Sequence, residues 1–236
     1  HPVRAVMWLM LIKKFPFELK LINPGSSSQG GSRHPDYLKK FPTGTIPSFE
    51  DPETGFVISE SHAIMCYLCN KYEWHDLYPI NPEERAKVDS YLHLHHRNVR
   101  EASIGLVAPK VRKDLDFSED FLKSSRGNIE KAFKAIENGW LNNSSFLVGD
   151  SMTIADISAY VEIGQLQSIF TNVYNFDQYP NIQRWLKDMR GADYHEEIHI
   201  ALYELGDISK KAPLMETIIN ANKKAFLIIQ ETLTKM

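Results

Sequence analysis

The chain has 236 residues, of which 43% are hydrophobic and 24% charged, with a formal net charge of −3. That length buries a sizeable core in one large or two small domains, and the near-neutral balance excludes a sequence-independent grip on nucleic acid. Apolar runs such as residues 5–12 fall short of the roughly 18 residues that a membrane span needs, and two cysteines give no disulfide framework, which points to a reducing, cytoplasmic compartment.

In chain order, Val3, Val6, Met7, Met10 and Leu11 recur at helical spacing, with Pro2 in the first turn and Lys13-Lys14 in the last. Residues 17–22, "FELKLI", alternate as a strand does. "NPGSSSQGGSRHP" offers little to pack and reads as a mobile loop. "TIPSFE" and "FVIS" are strands around the turn "DPETG". From Ser61 to Tyr72 the spacing turns helical, with Ala63, Ile64, Tyr67, Leu68 and Tyr72 recurring. The proline-punctuated "HDLYPINPEER" marks a domain boundary. Beyond it the sequence predicts helices over 85–102, 117–141, 153–168, 180–189 and 213–233, with no internal repeat.

Two features of 41–64 stand out: Pro47 inside a strand, and Glu60-Ser61 at the start of a helix. Singly, Pro47 reads as a strand edge and Ser61 as a cap. Their order (Ile-Pro, strand, turn, strand, Glu-Ser, helix) resembles the N-terminal domain of cytosolic glutathione transferases, most of all the theta class with its serine-type relatives. "FLVGDSMTIADI" strengthens the likeness: Thr153 and Asp156 form a T-x-x-D cap before an apolar helix, a structural device. "RAKVDSYLHLHHRNVRE" is similar to the first helix of the theta-type second domain.

The resemblance implies an α/β thioredoxin-like domain over 1–78 followed by an all-α helical-bundle domain over 83–236, whose last segment covers the pocket. It implies that Pro47 is cis, that Thr45, Ile46 and Pro47 meet the cysteinyl part of glutathione, and that Glu60 and Ser61 meet its γ-glutamyl end. His34 is the family's candidate for the glycine carboxylate. The family's first strand and its catalytic serine would stand just before His1. A hydroxyl hydrogen-bonded to the glutathione sulfur favours the thiolate, and a shift of about 2 pKa units needs roughly 2.7 kcal/mol. The implied activity is transfer of glutathione to small hydrophobic electrophiles, a detoxification reaction with dehalogenase or peroxidase variants. Glutathione is then a co-substrate, with no other cofactor, and the implied assembly is a homodimer without nucleic-acid or membrane partners. The alternative is a non-catalytic scaffold or protein-interaction module of the same fold.

Three further patterns carry more than one reading. Asp89, His93, His96 and Arg100 fall on one helical face. A metal site there is opposed by Arg100, which reads either as a catalytic candidate stabilising a thiolate or leaving anion or as a surface ion-pair partner. Cys66-x-x-Cys69 sits mid-helix, away from the helix start that favours a thiolate, and reads as packing. Leu214, Met215, Ile218, Ile219, Phe226, Ile229 and Leu233 form an apolar stripe near the C-terminus that either caps the pocket or docks on the second domain.

Overall fold

The computed structural model describes residues 2–113 and 115–236. Among them, helix α1 (Pro2–Ile12) and the short α2 (Pro35–Lys40) precede a two-stranded antiparallel sheet, β1 (Ser48–Glu50) and β2 (Val57–Ser59). Next come α3 (Ser61–Lys71), α4 (Pro82–His95), a π-helical stretch at Ala102–Val107, α5 (Ala108–Val111), α6 (Glu119–Ala135) and a second π-helical stretch at Ile136–Trp140. The chain finishes with α7 (Ile154–Ile163), α8 (Pro180–Arg190), α9 (His195–Leu205) and α10 (Met215–Thr234).

Helix α7 is the centre of the molecule. All ten of its residues are buried, and α1, α3, α4 and α8 pack on it. Its start is held by the predicted capping box. Thr153 Oγ1 accepts from the Ala155 N–H, and Asp156 Oδ2 accepts from the Thr153 N–H at 2.9 Å. The other Asp156 oxygen accepts from the Leu147 N–H and from Trp185 Nε1, so one buried carboxylate ties the cap, the preceding loop and α8 together.

Helix α1 departs from the one-sided pattern read in its sequence. Ala5, Trp8 and Leu9 are buried along with Val6, Met10 and Leu11, because α3 packs against α1 on one side and α7 and α9 on another. A helix apolar all round belongs inside a protein rather than on its surface.

Residues 17–22 do not form the expected strand. Phe17 and Leu19 pack against the core as their alternation predicted, yet no neighbouring strand pairs with this segment among the described residues. Alternation reports which side chains face inward; a strand also needs a hydrogen-bonded partner. The serine-rich loop, expected to lack internal structure, is bonded to itself. Asn23 bridges Gly31, the Gly25 N–H donates to Ser32 Oγ, and the Arg33 N–H donates to the Ser26 carbonyl.

The segment between α3 and α4 is pinned rather than loose. The Arg85 guanidinium lies over the Tyr78 ring and its Nε donates to the Pro79 carbonyl at 2.6 Å, while the Ile154 N–H donates to the Leu77 carbonyl. Three helices escaped the sequence reading: α2, which begins inside the supposed loop, the single turn of α5, and α9, which begins after Tyr194 in the left-handed region. The C-terminal stripe docks on α9 through α10. Only Ala221 and Ile229 of that helix are fully buried, and Leu214, Met215 and Ile219 remain exposed.

Candidate functional site

The Ile46–Pro47 peptide bond is cis. Among the described residues neither the N–H nor the C=O of Ile46 is hydrogen-bonded within the chain. The preceding turn is shaped by Gly44 at φ 60°, where an added Cβ would come within 2.8 Å of the Ser32 carbonyl oxygen. That close approach seats the turn on the serine-rich loop and demands glycine. Tyr37 of α2 fastens the other side: its hydroxyl donates to the Thr45 carbonyl at 3.0 Å and bonds Ser48 Oγ at 2.6 Å.

Strands β1 and β2 then bring the chain back, so that Glu60 stands beside this turn. Thr45 Oγ1 lies 3.4 Å from Glu60 Oε1. Glu60 has φ 76° and is the residue before the first turn of α3. A non-glycine residue in that region is uncommon and costs of order 1–3 kcal/mol, which the surrounding structure has to hold. Its carboxylate is exposed on the Thr45 side and makes no cap hydrogen bond, and Ser61 opens a helix whose first N–H groups have no intrahelical acceptor. The Ser61 hydroxyl makes no hydrogen bond within the described residues, although Ser61 itself is only 5% exposed. Thr45, Ile46, Pro47, Glu60 and Ser61 therefore form one surface of free backbone groups, one carboxylate and one helix N-terminus. Such a surface suits a zwitterionic, peptide-like ligand.

His34 is placed differently from a free ligand group. Its Nδ1 accepts from the Asp36 N–H at 3.3 Å and caps α2, while Asp36 Oδ2 lies 3.7 Å away. Only its Nε2 is without a bond within the described residues. The catalytic serine expected before His1, and His1 itself, lie outside the described residues.

Directly beneath Ser61 is a buried polar network that the sequence reading missed. His62 Nε2 bonds Ser158 Oγ of α7 at 2.6 Å, and its ring packs against His95 and His96 at centroid distances of 4.9 and 4.7 Å. Glu162 of α7, 1% exposed, receives the Arg100 guanidinium on one oxygen and the Ser103 hydroxyl on the other. Gln165 Nε2 closes the network on Ser103 Oγ at 2.7 Å. The available signal was Glu162 at the end of a largely apolar buried helix, since a buried carboxylate demands partners.

Burial holds His62 neutral, pushing it down to about 2, with His95 and His96 adding to the effect and Glu162 opposing it. Burial takes His95 down to about 4.

The four-residue face read as Asp89, His93, His96 and Arg100 does not exist as such. Helix α4 ends at His95, and residues 96–100 continue as irregular hydrogen-bonded turns, with the Asn98 and Arg100 N–H groups both donating to the His95 carbonyl, so the regular helical spacing is lost. Asp89 accepts from the Tyr78 hydroxyl, His93 is exposed, and His95 takes the inward position instead. Arg100 is an ion-pair partner, though of the buried Glu162 and not of a surface acid, and its side chain stays 30% exposed. No cluster of three or more His, Cys, Asp or Glu among the described residues has the arrangement of a metal site. Burial raises the Cys66 thiol to about 11 and the Cys69 thiol to about 12, which suits packing and not redox chemistry. No helix among the described residues is long and apolar enough to cross a membrane.

Comparison with known proteins gives a consistent result. The family domain described as "Glutathione S-transferase, N-terminal domain" matches residues 3–71, and "Glutathione S-transferase, C-terminal domain" matches residues 96–193. Among curated proteins, glutathione S-transferase T3 of Arabidopsis thaliana is 27% identical over 92% of this chain, which spans 38% of that relative's length. Human glutathione S-transferase theta-1 is 25% identical over 92% of this chain and 90% of its own. Among solved structures, human glutathione-S-transferase T1-1 in its apo form superposes with a TM-score of 0.73 at 23% identity, covering 98% of this chain and 95% of that one. A Bombyx mori glutathione transferase, BmGSTD1, gives a TM-score of 0.70 at 25% identity over 95% and 92% of the two chains.

Proposed function

This chain belongs to the glutathione S-transferase family, with its likeness on the theta side, and from that premise we propose that it conjugates glutathione, through its thiolate, to small hydrophobic electrophiles. The supporting observation is the juxtaposition of Glu60-Ser61 at the start of α3 with the unbonded backbone of Ile46. In this reading the γ-glutamyl carboxylate lies on the Ser61 hydroxyl and the first N–H groups of α3, where the helix's partial positive charge favours an anion. Glu60 pairs with the neighbouring ammonium group. The N–H and C=O of Ile46 pair with the cysteinyl backbone as a strand would, with Thr45 and Pro47 flanking them. The Nε2 of His34 reaches the glycine carboxylate.

Arg100 serves as a fixed cation at the edge of this region, for the thiolate or for a departing anion. Its guanidinium is already oriented by Glu162, so it costs no reorganisation as charge develops. The serine placed before His1 by the resemblance would complete the activation of sulfur. Division into a glutathione-binding unit over 1–78 and a helical unit over 83–236, pairing into homodimers, a cytoplasmic location, a detoxifying role and a capping role for the C-terminal segment complete the proposal.

Calorimetric titration with glutathione tests it. The wild-type protein should bind in the micromolar-to-millimolar range, and a Glu60→Ala/Ser61→Ala double variant should lose the heat signal while keeping its circular dichroism spectrum. Absence of binding by the folded wild-type protein would sink the reading.

A further inference from the structure

Tyr37 lies on α2, a short helix with no fully buried residue, yet its hydroxyl reaches the turn on both sides of Ile46–Pro47. It donates to the Thr45 carbonyl at 3.0 Å and bonds Ser48 Oγ at 2.6 Å. A phenol has one hydrogen to give. With that hydrogen on the carbonyl, the oxygen accepts from Ser48, and each bond polarises the other. Thr45 precedes the Ile-Pro pair and Ser48 follows it, so a single oxygen brackets the pair.

The bond to Thr45 acts on the next residue. The Thr45 carbonyl and the Ile46 N–H belong to one planar trans peptide unit, in which the two groups point in opposite directions. Pinning the carbonyl therefore aims the N–H. Tyr37 holds the carbonyl on the α2 side, and the Ile46 N–H, which has no acceptor among the described residues, points away from it. The other bonds of Thr45 run through its side chain, with Oγ1 at 2.8 Å from Thr43 Oγ1 and 3.4 Å from Glu60 Oε1. They act on the side chain and not on the peptide plane.

The tyrosine is itself held in place. Its ring packs on Phe41, which is 7% exposed, with centroids 5.0 Å apart. A phenylalanine would keep that packing, so only the hydroxyl bears on the turn. We propose that Tyr37 is a positioning residue of the glutathione site, its hydroxyl setting the direction of the Ile46 N–H so that the cysteinyl carbonyl of glutathione meets a donor already aimed. A donor fixed before binding saves the cost of ordering it afterwards. This inference rests on the glutathione reading given above.

The test is calorimetric titration of the full chain with glutathione, joined to amide hydrogen exchange at Ile46 followed by nuclear magnetic resonance. Tyr37→Phe should weaken binding about three- to tenfold, the usual yield of one or two neutral hydrogen bonds, with an unchanged circular dichroism spectrum. In wild type saturated with glutathione the Ile46 amide should exchange at least about tenfold more slowly than in the free protein, and in saturated Tyr37→Phe most of that protection should be gone. Ser48→Ala, which keeps the Thr45 bond, should bind within about twofold of wild type. Lys40→Gln removes the exposed Lys40–Glu50 tie between α2 and β1 and should leave affinity unaltered, which separates the hydroxyl's role from a general loosening of α2. Equal affinity in Tyr37→Phe, equal protection of Ile46 in that variant, or an equal loss in Lys40→Gln would each overturn the inference while wild type still binds. No binding by folded wild type would instead remove the glutathione reading, and this inference with it.

Discussion

His62 shows how much one side chain can decide. It sits beside Ser61, and its ring joins α3 to Ser158 on α7 and to two histidines of the α4 end. It is neutral because it is buried, and so are His95 and His195, each taken down to about 4 from 6.5 by burial. A group whose folded pKa is depressed contributes stability above its unfolded pKa and loses it as pH falls toward the folded value. For these three histidines that loss begins near 6.5 and runs to about 4, and on to about 2 for His62. Asp156 acts in the opposite sense. Burial lifts it from 3.8 to about 6 despite its hydrogen bonds, so its contribution is present at low pH and is lost as pH rises through about 6. Three groups outweigh one. The melting temperature should therefore drop steadily as pH is lowered from 7 to 5, and a His62→Gln variant should show a shallower drop. A melting temperature that stays level or climbs over that range would contradict this account. None of this was readable from spacing, which put His93 on one face with Asp89, His96 and Arg100 and singled out neither His95 nor Glu162.

Among the elements, the capping box of α7 was fully legible and the π-helical stretches were not. A capping box is local chemistry within four residues, so its signature survives in sequence. The stretch at Ala102–Val107 depends on what lies across from it. Gly105 sits so close to α6 that an added Cβ would fall 2.4 Å from the Ser125 Cβ, and Ser125 in turn donates to the Glu101 carboxylate. Gly105→Ala should accordingly destabilise the protein by about 1–3 kcal/mol, the usual cost of overpacking. The gain of about 0.5–1 kcal/mol that alanine brings in an open helix is too small to offset it. Urea denaturation would read the difference, and adding Ser125→Gly to the same chain should recover part of it. An unchanged midpoint for the single variant would show that α6 gives way at little cost. The lost strand at 17–22 and the unforeseen α9 follow the same rule. Their periodicity reported inward and outward faces correctly or weakly, while pairing and docking came from distant residues.

For the whole molecule, Trp8 joins the two halves of the chain. Its Nε1 donates to the Asp193 carbonyl at 2.8 Å, and its ring packs on Tyr160 of α7 and on His195 and His199 of α9. With α1 inserted between α3 on one side and α7 and α9 on the other, neither half has a complete core alone. Thermal unfolding should be a single transition, with far-ultraviolet circular dichroism and tryptophan fluorescence changing together. Trp8→Ala should lower stability by about 3–5 kcal/mol, and the two signals should still coincide. Separate transitions in the wild-type protein would mean that the halves fold independently and that Trp8 is only a local contact.

The sequence by itself determined the family, the order of a mixed α/β part and a helical part, the Ile-Pro turn with Glu60-Ser61 opposite, and the cap on α7. Each of these is written in neighbouring residues whose backbone geometry or hydrogen bonds are settled within a few positions. Only the tertiary structure decided which faces were buried on both sides, which histidine met which serine, and that Arg100 rests on Glu162. Those outcomes depend on partners tens of residues away, and burial changes the free energy of a charge or a polar group by more than any local preference can.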